Sequence, residues 1–444
     1  MIHSAPGVKN TGVGNYRWKV LLCLWLLYLI NYFDRMAVLT LLPLIRTDLN
    51  LTHQEIGFAA SIFFFAYAFA QLSAGWWADR VGPKKVMGFA ITFFTLVTFI
   101  TGLVQSYMQF LLCRLGLALG EGHHYVPANR SMSEWFPQSE KGRAAAFFST
   151  IYSVAPAIIP VAVVSIASFT GSWRSVFYVL AIPGVLGMAM LWYFVSDRPR
   201  QMLDKNRMSA QEVEYIEDGL ISAGKSLTGK KALAYLLKDK SFILYSFIGF
   251  CGSGMYWGSS TWLSSFLVEQ HGFSLKAMGF LAALPYVIGF MTVTVGGFLV
   301  DKIFKGGVKV VLLCSFLPSA VLFYIMPHIE TNVTHLILVL ALFGFVVNLY
   351  AGAYYAYGIL RYPKEIVGSA VGIANFTAQM GAFVAPLGAS MFIVKTAESV
   401  SYIGAFTFFA AIALIGGVLS IFLSESHVKK KAAVEAPQTV NAEA

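Results

Sequence analysis

The sequence predicts an all-α membrane protein: twelve transmembrane helices in two parallel six-helix repeats. Three observations predict it. Of 444 residues 57% are hydrophobic and only 12% are charged, with a mean hydropathy of +0.67, whereas a soluble chain carries about 25% charged residues. Apolar runs of about 20 residues, the length that crosses roughly 30 Å of hydrocarbon as a helix, recur along the chain. A loop pattern between the second and third runs returns, half the chain length later, between the eighth and ninth.

The runs are 18–42, 54–78, 86–104, 107–129, 143–168, 174–196, 241–268, 277–300, 308–327, 332–359, 366–394 and 401–424. They divide the chain into an N-terminal segment 1–17, a six-helix bundle 18–196, a linker 197–240, a second bundle 241–424 and a tail 425–444. The polar segment before the first run has no small-residue cleavage site after it, so the first span is retained. In the linker, Ser209 followed three residues later by Glu212 starts a short amphipathic helix; a partner-docking role for it is the alternative to a simple connector. The tail has the composition of a disordered end. Cys23, Cys113, Cys251 and Cys314 lie in apolar runs without a CxxC partner and are expected to be buried small hydrophobes rather than disulfides or metal ligands.

Lysine and arginine set the orientation. They crowd the loops on the side of the termini, including the linker, while the opposite side has Arg46, Arg174, Lys276 and Lys395. Both termini are therefore expected in the cytoplasm. The net charge of +10 follows from this topology, with no call for a nucleic-acid partner. Asn50 and Asn332 begin N-x-T sequons on the outer side, but the first outer loop is very short, which favours a bacterial cytoplasmic membrane. Two basic residues, Arg35 and Arg114, fall inside spans.

The repeated loop reads Gly75-Trp-Trp-Ala-Asp79-Arg80-Val-Gly82-Pro83-Lys84-Lys85 in the first half and Gly297-Phe-Leu-Val-Asp301-Lys302 in the second. It resembles the G-x-x-x-D-R-x-G-[RK]-[RK] signature of the major facilitator superfamily, with Pro83 inserted before the basic pair. The resemblance implies a transporter whose halves rock around a central site. It also implies gating roles for Asp79, Arg80 and Asp301, the aspartate meeting a helix N-terminus and basic residues across the interface between halves, worth about 0.3 to 2 kcal/mol at the helix dipole.

A narrower pattern covers most of the first half. Asn31-Tyr32-Phe33-Asp34-Arg35, Tyr67 with Gln71, Arg114 with Glu121, then Pro127, Asn129, Arg130, Trp135-Phe136-Pro137, Trp173-Arg174 and later Gly372-x-x-Asn375 are similar to the anion:cation symporter family, which includes sugar-acid permeases and the sialin and vesicular glutamate transporter relatives. His123-His124 departs from that pattern.

Ionisable groups at membrane depth are costly and usually face a cavity, pair with a partner and serve function. If Asp34, Arg35, Arg114 and Glu121 share one cavity, its formal charge is near zero with both acids ionised and +2 with both protonated. Protonation then raises anion affinity, and by linkage the anion raises proton affinity. Arg35 and Arg114 are expected to bind the substrate carboxylate, since guanidinium offers a planar fork, with Tyr32 and Tyr67 beside them. Glu121 and Asp34 are expected to carry protons, as the resemblance implies, with His123 or His124 as lesser candidates. The bland alternatives are an Arg114–Glu121 ion pair that only stabilises the bundle and an Asp34 neutralised by adjacent Arg35.

Shifted by half the chain length, Asp34, Arg35, Arg114 and Glu121 fall on Tyr256, Trp257, Leu336 and Phe343, so the second half carries no matching charge. Its expected contribution is the substrate's uncharged body, from Tyr256, Trp257, Tyr354, Asn375 and Gln379, with Tyr350 and Tyr357 at helical spacing around Tyr354. The expected function is secondary active, proton-coupled symport of a small organic anion, a sugar acid or other carboxylate, by a monomer without cofactor or metal. A proton-independent uniporter or exchanger is the alternative. A membrane receptor or enzyme would need neither the repeats nor the paired gating loops.

Overall fold

The computed structural model describes residues 14–218, 229–298, 307–329, 333–363 and 366–425. The first stretch holds α1 (Tyr16–Asp48), α2 (His53–Val81), α3 (Pro83–Thr101), α4 (Tyr107–Trp135), α5 (Gln138–Ser149), α6 (Ile151–Thr170), α7 (Trp173–Phe194) and two linker helices, α8 (Arg200–Leu203) and α9 (Ala210–Asp218). α10 (Gly229–Leu237) precedes α11 (Lys240–Ser265), which ends in a π-helical turn, Phe266–Gln270. α12 (Leu275–Phe298), α13 (Val308–Ile325), α14 (Val333–Arg361), α15 (Val367–Ser390) and α16 (Ile403–Ile421) complete the chain. Asp301 and the tail beyond Glu425 lie outside the described residues.

Local chemistry fixes the helix ends. A capping box of Thr52 and Glu55 starts α2. Gly82, with φ of +91°, and Pro83 at the first helical position turn the chain into α3. A Cβ on Gly82 would stand 2.6 Å from an Asp197 carboxylate oxygen. The run expected over 143–168 lies in one apolar stretch, Gln138–Thr170, with a turn at Thr150, whose hydroxyl donates to the Phe147 carbonyl at 2.7 Å and accepts from the Trp25 indole at 3.0 Å.

Among the described residues ten helices are long and apolar enough to span a membrane. The fourth and seventh expected spans, α4 and α11, miss that criterion: α4 carries Arg114, Glu121, Arg130 and Glu134, and α11 is rich in glycine and serine. Both pack inside the bundle beside the others, so the layout is consistent with twelve.

The packing scheme appears twice. α1 lies on α6 and α7, α2 on α4, and α3 on α4 and α7. Correspondingly, α11 lies on α15 and α16, α12 on α14, and α13 on α14 and α16. The two sets meet through α2 with α15, α6 with α12, and α1 with α11, the pairings that a two-fold axis between six-helix repeats requires.

Outward faces are apolar, with Leu112, Leu186 and Phe280 among the exposed side chains. Three of the cysteines are buried as expected, but Cys314 is exposed. In lipid an outward face is as apolar as the core, so hydrophobicity alone does not assign burial. At the end of the bundle that holds Tyr16, the linker is fastened to the first half. The Glu212 carboxylate accepts from the Tyr16 and Arg17 backbone N–H groups at 3.1 Å, capping α1, and Arg17 bridges Glu212 at 3.1 Å and Glu140 at 2.7 Å. Ser209 caps α9 as expected, accepting from the Glu212 N–H at 3.2 Å, but the Glu212 carboxylate serves α1 instead of its own helix.

Candidate functional site

α4 supplies Arg114 and Glu121, and α1 supplies Arg35; all three are buried. The pairing differs from the one expected along α4. Arg35 donates through both Nε and Nη2 to one oxygen of Glu121, at 3.0 and 2.9 Å. Arg114 donates only through Nε, to the Ala59 carbonyl at 3.2 Å, and its two terminal nitrogens have no hydrogen-bond partner among the described residues. The ring of Phe63 lies against both guanidinium groups, 5.0 Å from Arg35 and 4.5 Å from Arg114. The two cations thus flank one phenyl ring, one tied to a carboxylate and the other with its fork open.

Aromatic rings surround Arg35. Tyr32, Tyr67 and Trp257 lie at 5.2, 4.5 and 5.6 Å from its guanidinium carbon, a setting that offsets part of the desolvation of a buried cation. Trp257 belongs to α11 and also meets Tyr32 at 6.4 Å and Phe64 at 5.0 Å, so the second half closes over the charged pair with a ring. Tyr256, its neighbour, packs on Tyr286 at 6.0 Å. Tyr354 stacks on Tyr245 at 4.5 Å and Tyr357 leans on the same ring at 5.3 Å, a cluster inside the second half. Tyr350 stands at 6.3 Å from Tyr354. Asn375 donates to Gln71 of the first half at 3.0 Å, and the Gln379 carbonyl oxygen is buried with no partner among the described residues. None of Tyr256, Tyr354, Asn375 and Gln379 has a hydrogen bond to either arginine.

Asp34 is buried one residue from Arg35 but does not pair with it. One of its oxygens has no hydrogen-bond partner among the described residues; the group lies beside Thr98 and within electrostatic reach of Glu121. The adjacent histidines diverge. His123 donates from Nδ1 to the Leu119 carbonyl at 2.7 Å, its Nε2 lies 2.8 Å from the Ser73 hydroxyl, and the ring packs on Trp77. His124 is stacked on Tyr28 at 5.8 Å with both ring nitrogens unpartnered among the described residues.

The gating loop departs from its expected partners. Asp79 pairs with Arg130 of α4, in its own half, and Arg80 lies over the Trp76 ring at 3.8 Å. The carboxylate at the neighbouring helix N-terminus is Asp197, which accepts from the Lys84 N–H at 2.8 Å. Asp197 stands just after α7, and nothing in the linear motif marks it. Phe63 was also missed: one apolar residue within a long apolar helix gives no signal until both guanidinium groups are placed.

Similarity to known proteins now adds to this geometry. A probable sulfoacetate transporter of Cupriavidus necator is 29% identical over 415 residues, covering 92% of this chain and 94% of that one. A probable L-galactonate transporter of Escherichia coli is 27% identical over 88% of this chain and 86% of its own. Among solved structures, a D-xylose-proton symporter superposes with a TM-score of 0.74 at 15% identity, over 94% of this chain and 100% of that one. An inward-facing bacterial homologue of the human lysosomal transporter Spinster gives 0.72 at 17%, over 95% and 98%. These two show the fold. The profile of the Major Facilitator Superfamily matches residues 24–386, and the chain therefore belongs to that superfamily of transporters, not to the enzymes.

Proposed function

We propose that this protein takes up a small organic anion together with protons by alternating access, its two six-helix halves rocking about the Arg35–Glu121–Arg114 site. The observation that carries the reading is the unequal state of the two arginines. Arg114 holds two buried terminal nitrogens without an acceptor among the described residues, and a carboxylate or sulfonate group can take charge-assisted bonds from them. Arg35 already has an anion, the Glu121 carboxylate. Protonating Glu121 neutralises that internal acceptor and frees the Arg35 fork for the substrate, so proton and anion load together. Asp34, unpaired and close enough to sense Glu121, is the second proton site. The aromatic rings and the Asn375 and Gln379 amides would receive the substrate's uncharged body.

Relatives named for sulfoacetate and galactonate support the anion class. The loop charges support an orientation with both termini in the cytoplasm, in a bacterial inner membrane, and the Tyr16 end as the cytoplasmic end. The Asp79–Arg130 pair and Arg80 would hold that end of the first half together during rocking; Asp301 is assigned the matching role. The protein works as a monomer. One observation favours a second reading: the Arg35–Glu121 pair is complete without a proton, so an incoming anion could displace Glu121 directly, giving exchange without proton coupling.

Purified protein in liposomes, offered monocarboxylates, sugar acids and sulfonates with and without an imposed pH gradient, tests the reading. Accumulation that depends on the gradient is expected; anion exchange indifferent to pH establishes the second reading instead.

A further inference from the structure

At the end of the bundle opposite Tyr16, one carboxylate joins both halves. Glu269, in the π-helical turn after α11, accepts from Arg46 Nε at 3.0 Å, pairs with His53 Nε2 at 2.8 Å and accepts from the Tyr402 hydroxyl at 3.0 Å. Arg46 and His53 come from the end of α1 and the start of α2, Tyr402 from the start of α16. The side chains of Arg46, His53 and Glu269 are 14%, 5% and 8% exposed. The turn itself is tied down by the next residue: Gln270 donates to the Pro327 carbonyl and accepts from the Tyr402 N–H, both at 2.8 Å. Extra-residue turns of this kind recur at functional sites because they redirect side chains.

A pocket of about 490 Å³ opens beside this cluster, lined by Arg46, Thr47, Thr52, His53 and, from the second half, Lys395. Its two more buried basic groups, Arg46 and His53, are the ones that hold Glu269. Lys395 stands free of that cluster at the exposed rim.

We propose that this pocket is the receiving site for the external anion, a carboxylate or sulfonate, and that Glu269 is a tethered carboxylate occupying its donors until that anion displaces it and parts the two halves at this end. A cradle that already binds one carboxylate through a guanidinium, an imidazole and a phenol fits another. Released from Arg46 and His53, Glu269 no longer links the first half to the second, so arrival of substrate and opening of this mouth become one event. The proposal rests on the anion-transport reading and on the orientation that makes this end external.

Lys395→Glu and Glu269→Gln test it in liposomes of known orientation, with a sulfonate and a sugar acid as probes. Lys395→Glu places a like charge at the rim of the pocket without touching the Glu269 cluster, and is expected to raise KM for external anion about fivefold in initial-rate uptake. Glu269→Gln removes the charged competitor, so external KM is expected to fall while turnover slows. An external KM unchanged by Lys395→Glu overturns the proposal, as does an external KM that fails to fall in Glu269→Gln. If the parent moves no anion at all, the functional reading fails and this proposal with it; anion transport with KM insensitive to Lys395 removes this proposal alone.

Discussion

At the scale of single residues, the centre of the protein is an unequal pair of guanidinium groups, and each makes a prediction. Replacing Arg114 by alanine deletes the open fork. A charge-assisted hydrogen bond contributes about 1.5 to 3 kcal/mol, so KM for the anion is expected to rise roughly 10- to 100-fold in initial-rate uptake; lysine, lacking the fork, should recover only part of this. Glu121→Gln leaves Arg35 a neutral acceptor. Accumulation driven by a pH gradient should vanish while substrate exchange between the two sides persists, and gradient-driven accumulation in this variant would remove Glu121 as proton carrier. His124, stacked on Tyr28 without hydrogen bonds, behaves as an aromatic filler in this geometry. An unpartnered buried polar group costs free energy, so His124→Phe should melt no lower than the parent in scanning fluorimetry and keep its transport rate.

At the scale of elements, the helices were legible in the sequence because a span announces itself by length and hydropathy. The departures have local causes: at Thr150, whose hydroxyl meets the Phe147 carbonyl, a turn separates α5 from α6 within one apolar stretch, Gln138–Thr170. The linker helix was anticipated from Ser209 and Glu212, but its anchoring was not. Glu212 reaches the start of α1, nearly 200 residues away in sequence, and Arg17 joins it to Glu140. Removing one partner from so buried a network leaves a charge uncompensated, at a cost of about 3 kcal/mol. Arg17→Ala is therefore expected to lower the melting temperature in detergent clearly more than substitution of an exposed linker residue such as Lys205.

At the scale of the whole molecule, the two halves repeat one packing scheme and meet along α2 with α15, α6 with α12, and α1 with α11. Their chemistry does not repeat, since the charges sit in the first half and the second answers with Trp257. The orientation inferred from loop charge makes a direct prediction. In intact cells an impermeant thiol reagent should modify a cysteine placed at Lys395, and should modify one placed at Lys205 only after permeabilisation. The reverse pattern would invert the proposed direction of transport and move the receiving pocket to the cytoplasmic side.

The sequence by itself determined the membrane class, the approximate spans, the twofold repeat and the identity of the buried charges, because each is a property of composition or spacing along one helix. That Arg35, Arg114, Glu121 and Asp34 share one cavity was, from the sequence, only a condition on which the transport reading rested. Which cation holds which carboxylate was decided only in three dimensions. Arg35 and Glu121 belong to different helices, Asp79 found Arg130 instead of a helix end, and Glu269 gathers partners from three separate segments. Pairing depends on how side chains from distant stretches converge, and the spacing along any one helix carries no information about its neighbours.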